Sequence, residues 1–316
     1  MAMKADICEI FGIKYPIFQG GMAWISDWSL ASAVTNAGGL GIIAAGNAPA
    51  EYVRDQIVKT REQVGDKPFA VNIMLMSPFC DDIAQLVIDE KVPVVVTGAG
   101  VPKHMAQWIE AGIKVVPVVP STAIAKLVAR MGATAVVAEG GEAGGHVGDT
   151  GTMALVPQVC DAVDIPVLAA GGIGDGRGIA AAFMLGASGV QVGTRFLVAD
   201  ECTIHENYKK KILKASDIST MTTGNSLGHP VRALKTAFTR QFLANERNPD
   251  MTLEEVEAFG AGALRMAAAD GDDKNGCFMS GQICGMVTRE QSCADIIEEM
   301  FSESEDLLRG ASKWVK

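Results

Sequence analysis

Eight short apolar runs occupy residues 15–195, each closed by a glycine or polar stop and most followed by an amphipathic segment. They are YPIFQGG (15–21), LGIIAAG (40–46), FAVNIML (69–75), VVVTGAG (94–100), KVVPVVP (114–120), AVVAEG (135–140), PVLAAGG (166–172) and GVQVGTR (189–195). Nearly continuous hydrophobicity over so few residues is the mark of parallel strands covered on both faces. Between them, segments such as DWSLASAVTNAGG and STAIAKLVARMGA repeat their apolar residues at helical spacing and end in or near glycine. Strand alternating with helix implies an α/β fold with a parallel sheet. Eight repeats point to a (β/α)8 TIM barrel, whose usual length is about 250 residues. A doubly wound open sheet is the alternative, and the regular count of eight favours the barrel.

After Arg195 the rhythm breaks. Residues 200–285 are more polar and include HENYKKKILKAS and TLEEVEAFGAGALRMAAADGD, while EQSCADIIEEMFSESEDLLRG near the end reads as a closing helix. The expected organisation is a barrel from 1–199 and 286–316. A smaller, mostly helical second domain, 200–285, covers the barrel mouth at the C-terminal ends of the strands.

Composition narrows the function. A net charge of −10 argues against a nucleic-acid partner, which selects a basic stripe. No apolar run reaches the roughly 18 residues of a membrane span. The seven cysteines form no C-x-x-C pair, and no signal peptide is apparent, which fits reduced thiols in the cytoplasm. No clustered His/Cys motif marks a metal site, and no G-x-S-x-G elbow marks a serine hydrolase.

Barrel chemistry sits at the C-terminal strand ends, often with a phosphate site after strands seven and eight. Here those ends are AAGGIGDG and VQVGTRF. Gly171, Gly172, Gly193 and Thr194 could present backbone or hydroxyl donors to a phosphate, or could simply turn the chain. GGIGDG lacks the strand position and acidic partner of a dinucleotide fingerprint. The glycines of QGGMA would let backbone press against a ring system. Asn47, Asn72 and Gln191, amides in or beside apolar runs, suit a heteroaromatic cofactor such as a flavin, although any one of them could be structural. In EGGEAGGHVGDTG (139–151), His146 follows the sixth strand and stands at the same face. An imidazole there suits proton transfer, its ordinary pKa lying near neutrality; a structural loop residue is the other reading. His104, in a helix-like stretch, and His205, in a polar run, read most simply as surface residues, and His229 has no partner legible from the sequence.

Several stretches together carry a family likeness: YPIFQGGMAW, AGGLGIIAAGNAP, KPFAVNIMLMSPF, AEGGEAGGHVG, IPVLAAGGIGDGRG, GASGVQVGTRF, HPVRALK, GAGALR and MSGQICGMV. The chain resembles the FMN-dependent enoyl-acyl carrier protein reductase II enzymes of bacterial fatty-acid synthesis, within the nitronate monooxygenase-like flavin barrels. QGGMAW and NIMLMSPF resemble the reductase branch. The resemblance implies reduction of trans-2-enoyl-acyl carrier protein with NADH or NADPH; the alternative is nitronate oxidation with FMN and oxygen. It implies FMN contacts at Gly21, Met22, Ala23, Asn47, Asn72, Glu139, Gly145, Gly171, Gly172, Gln191, Gly193 and Thr194. Met279, Gly281 and Gln282 would approach from the second segment. It further implies His146 as catalytic residue, a homodimer, and activation by a monovalent cation whose ligands the motifs do not give. Lys209, Lys210, Lys211 and Lys214 form a basic cluster that could dock the acidic carrier protein, or could be a solvated helix face.

Overall fold

The computed structural model describes residues 5–314. Its strands are β1 (Ile17–Gln19), β2 (Ile42–Ala44), β3 (Ala70–Met74), β4 (Val94–Gly98), β5 (Lys114–Val119), β6 (Val136–Glu139), β7 (Gly145–His146), β8 (Val167–Ala170), β9 (Gly189–Val192), β10 (Thr220–Thr223) and β11 (Val231–Leu234). Eight of them form one parallel sheet in the order β1-β9-β8-β6-β5-β4-β3-β2. A parallel bridge between Phe18 and Leu40 joins the two edges, so the sheet closes. The fold is a TIM barrel, and each barrel strand lies within one of the eight apolar runs.

Both faces of each strand are apolar because each has its own core to fill. On β4, Val95 belongs to the layer between strands and helices, whereas Val94 and Val96 point into the barrel. Phe18, Leu40, Ile42, Ala70, Val116, Val137 and Leu168 fill that interior, and Ile7 and Phe11 of the first helix (Asp6–Phe11) pack against them from below. Phe11 meets Phe18 edge to face at 5.1 Å. Full burial of one such side chain contributes roughly 1.5–3 kcal/mol, so the closed floor is a main source of stability. Side-chain caps start several barrel helices: Asp27, for one, accepts from the amides of Ser29 and Leu30 at 3.0 and 3.1 Å.

The segment after the barrel is helical over less than half of its length, with Glu206–Leu213, Ala237–Glu246 and Leu253–Gly260 as its longer helices. It also holds β10 and β11, which the polar sequence did not announce. These two strands pair antiparallel, and β11 pairs antiparallel with β7, so residues 145–146 of the barrel chain complete a three-stranded sheet. The helix Cys293–Arg309 returns to the barrel and packs on Gly176–Met184 and Trp28–Asn36. No helix among the described residues is long and apolar enough to cross a membrane. The seven cysteines are all free thiols.

Candidate active site

Strand alternation decides what faces the barrel mouth. Val71 and Ile73 pack outward, so Asn72 between them points inward; the same holds for Gln191 between Val190 and Val192. On β6, Val137 is interior and Ala138 is not, which turns Glu139 inward at the strand end. Register then aligns Glu139 with Ala170, Ala170 with Gln191, and Gln191 with Phe18. The carbonyl oxygen of the Gln191 side chain is buried and accepts no hydrogen bond. A buried acceptor left unpaired costs about 1–3 kcal/mol, so such groups call for a ligand or a role. Burial pushes the Glu139 carboxyl up to about 7.

The loop after β1 lies against these groups. Gly20 donates to the Val192 carbonyl at 2.8 Å, and the Met22 amide donates to the Ser26 hydroxyl at 3.0 Å. Gln19, fully buried, reaches both Ser26 at 2.7 Å and, through its oxygen, the Ile42 amide at 3.1 Å. A Cβ on Gly21 would stand 2.4 Å from that of Asn72, so only glycine admits this approach. Gly46 meets Ala23 in a similar way, which sets the neighbouring Asn47, itself exposed, at the same rim. Trp24 follows in the left-handed region, φ 62°, with the Arg265 guanidinium 5.0 Å from its ring.

At the other side, Gly171 and Gly172 turn with φ 84° and 73° against the β6 loop. The organiser there is a pair the sequence reading did not single out. The Glu142 carboxylate accepts from the Thr152 amide at 2.9 Å and from its hydroxyl at 2.9 Å, and that hydroxyl also lies 2.9 Å from the Gly171 carbonyl. Thr194 accepts from the Gly281 amide at 2.9 Å, and Gln282 donates its amide to the Glu142 carbonyl at 2.9 Å. Gly144 packs so tightly on Gly281 that a Cβ would fall 2.6 Å from the Gly281 nitrogen. Met279 brings its sulfur within 3.8 Å of the Cβ position of Gly145, and its carbonyl accepts from the buried Tyr208 hydroxyl at 2.6 Å. Met279, Gly281 and Gln282 therefore meet the His146 loop and the ends of β8 and β9 in one place.

His146 does not lie in a free loop, despite its glycine-rich surroundings. It sits on β7 opposite Val231, Val147 donates to the Pro230 carbonyl at 3.0 Å, and Arg232 clamps the Gly141 carbonyl at 2.9 and 3.1 Å. The ring keeps an exposed side, yet protein crowds it. That desolvation, and then the nearby His229, lowers its pKa below the ordinary imidazole value. His229 stands 6.2 Å away, ring centroid to ring centroid.

Away from the mouth, Cys80, Asp81 and His104 bring ligand atoms within 4.8 Å of one another, a grouping invisible in the linear sequence. Asp81 there already contacts Lys103 and His104 at 2.8 Å each, which describes a satisfied ion-pair network. The lysine cluster is also largely engaged. Lys209 donates to the Ala199 carbonyl at 2.7 Å, and Lys210 and Lys211 pair with Glu206 and Asp273 at 2.9 Å. Lys214 is exposed, with no ion pair among the described residues.

A family profile, that of nitronate monooxygenase, matches residues 4–86 and 81–303. The chain belongs to this family. It is an oxidoreductase in a family of flavin-dependent barrels. The solved structure of FabK from Thermotoga maritima superposes with a TM-score of 0.96 and 45% identity, covering 99% of this chain and 100% of that one. A Mycobacterium tuberculosis protein, (3aS,4S,5R,7aS)-5-hydroxy-7a-methyl-1-oxo-octahydro-1H-indene-4-carboxyl-CoA dehydrogenase, is 34% identical over 100% of both chains. A probable nitronate monooxygenase from Staphylococcus saprophyticus is 31% identical over 98% of this chain and 99% of its own.

Proposed function

We propose that the chain is an FMN-dependent enoyl-acyl carrier protein reductase that consumes NADH or NADPH. The observation that carries this reading is the mouth itself. Asn72, Glu139 and Gln191 point inward, with an unpaired buried oxygen on Gln191, and the three-stranded sheet carries His146. The 45% identity with FabK over full length supports the reductase over its relatives.

The residues present fit FMN. Asn72, Glu139 and Gln191 offer donors and acceptors to a heterocycle, with Gly21, Met22 and Ala23 giving it a close backbone wall. Gly171, Gly172, Gly193 and Thr194 stand where barrels commonly hold a phosphate. When bound, FMN supplies the hydride, taken from the nicotinamide and delivered to the β-carbon of a trans-2-enoyl thioester. The chain then has to manage charge on the thioester oxygen and a proton for the α-carbon. In this reading His146 gives its ring proton to the α-carbon, its backbone held in place by the pairing with Val231. The acyl carrier protein docks, on the same reading, near the exposed Lys214.

Nitronate oxidation is the second reading, favoured by the family profile and by the staphylococcal relative. There His146 would take a proton from the nitroalkane carbon, and oxygen would replace NAD(P)H. Anaerobic mixing separates the two. The reductase is bleached by NADH or NADPH and recovers its colour with crotonyl thioester. A protein that NAD(P)H leaves yellow and a nitroalkane bleaches is the monooxygenase.

A further inference from the structure

His229 lies on the turn joining β10 to β11, and that turn is fastened on two sides. From behind, the Glu246 carboxylate accepts from the Gly224 amide at 2.8 Å and from the Ser226 amide and hydroxyl at 3.1 and 3.0 Å. From the front, the Pro230 carbonyl binds the Val147 amide, and Val231 stands in register with His146. His229 is two residues before that partner. Diagonal neighbours on one face of an antiparallel pair lie within reach of long or aromatic side chains. The two imidazoles accordingly meet at 6.2 Å with an interplanar angle of 68°.

Charged groups on the neighbouring elements are turned elsewhere. Arg232, one position on in β11, binds Gly141 and Thr220. Glu142, in the loop before β7, is spent on Thr152, and Glu246 on the turn amides. Among the described residues His229 is the ring that stands beside His146, 6.2 Å away between centroids.

We propose that His229 is a positioning residue for proton delivery: held edge-on to His146, it disfavours a second positive charge and makes protonated His146 a stronger acid toward the substrate α-carbon. The idea rests on the reading of His146 as proton donor. The fixed sheet register makes the pairing part of the fold. A stronger acid transfers its proton with a larger driving force, at the expense of a smaller protonated fraction near neutrality.

The test uses the full-length holoenzyme with ring-labelled histidine, the His146 signal being assigned by its loss in His146→Ala. The variants are His229→Asn, which removes the neighbouring titratable ring, and His229→Lys, which places a fixed positive charge there. Two charges about 6 Å apart in a largely aqueous setting change a pKa by about half a unit or more. The expected result is a His146 titration midpoint that rises by that amount in His229→Asn and falls in His229→Lys, with the alkaline limb of the enoyl-thioester half-reaction moving the same way. A merely structural role moves both variants in one direction, and that result, or no movement, overturns the proposal. Opposite midpoint shifts with an unmoved limb would uphold the charge coupling and overturn His146 as the proton donor.

Discussion

The two ends of the barrel obey the same strand alternation and put it to opposite uses. At the floor, inward positions are Phe18, Leu40, Val94 and their neighbours, all buried against the first helix. At the mouth, inward positions are Asn72, Glu139 and Gln191, and the buried side-chain oxygen of Gln191 accepts no hydrogen bond. One end holds the barrel shut, and the other leaves a buried acceptor unpaired. On the proposed reading, stability and chemistry are thereby separated along the barrel axis, and loops can vary at the mouth without loosening the floor.

That separation can be broken by experiment, beginning with the strongest effect. His146→Ala should slow the oxidative half-reaction by about 10²–10⁴-fold, the usual worth of a general acid. Flavin reduction by NAD(P)H and the thermal midpoint should hardly change; stopped-flow on each half-reaction and a melting curve check this. Equal loss in both half-reactions would make the residue structural. Phe18→Ala at the floor should do the reverse, costing about 3–5 kcal/mol in denaturant unfolding. Its folded fraction should keep its turnover.

Gln191→Leu tests both ends of the comparison in one position. It removes the unpaired buried oxygen, so the cofactor-free protein should gain up to about 1 kcal/mol. FMN should bind more weakly, by about tenfold for one lost hydrogen bond, as titration calorimetry can measure. Loss of cofactor-free stability would mean that Gln191 belongs to the floor's packing and not to the ligand.

The smallest effect concerns pH. Glu139 is raised to about 7 in the fold, so between the ordinary carboxylate pKa and that value the folded chain keeps a proton the unfolded chain has lost. Its contribution is therefore fully present at low pH, declines as pH rises toward 7, and is flat beyond. The carboxyl is only part-buried by area, and water at the mouth discounts the effect to on the order of 1 kcal/mol. Glu139→Gln should abolish that part of the slope in cofactor-free melts between pH 5 and 7.5. An unchanged slope would mean that the mouth does not desolvate this group.

How much of this was legible before the structure differs from residue to residue. Asn72 and Gln191 stand out because an amide inside a run of buried apolar residues has no ordinary reason to be there. His146 stands out because glycine-rich loops at that barrel end carry chemistry. The stiffness of its loop was not legible. A two-residue strand such as Gly145–His146 has no periodicity to read, and its partner β11 lies far along the chain. Glu142 and Thr152 escaped for a related reason, since a carboxylate–hydroxyl pair across a loop leaves no spacing signal. The lysine cluster is a different case: its engagement with Ala199, Glu206 and Asp273 is not readable from the charge run itself.

By itself the sequence determined the parallel barrel and the strands that build it, because burial on both faces and glycine stops are local properties written residue by residue. Only the tertiary structure decided that His146 belongs to the three-stranded sheet, that Thr194 grips Gly281, and that His229 faces His146. Those are pairings between distant segments, fixed by backbone register and by the packing of glycines where no Cβ would fit.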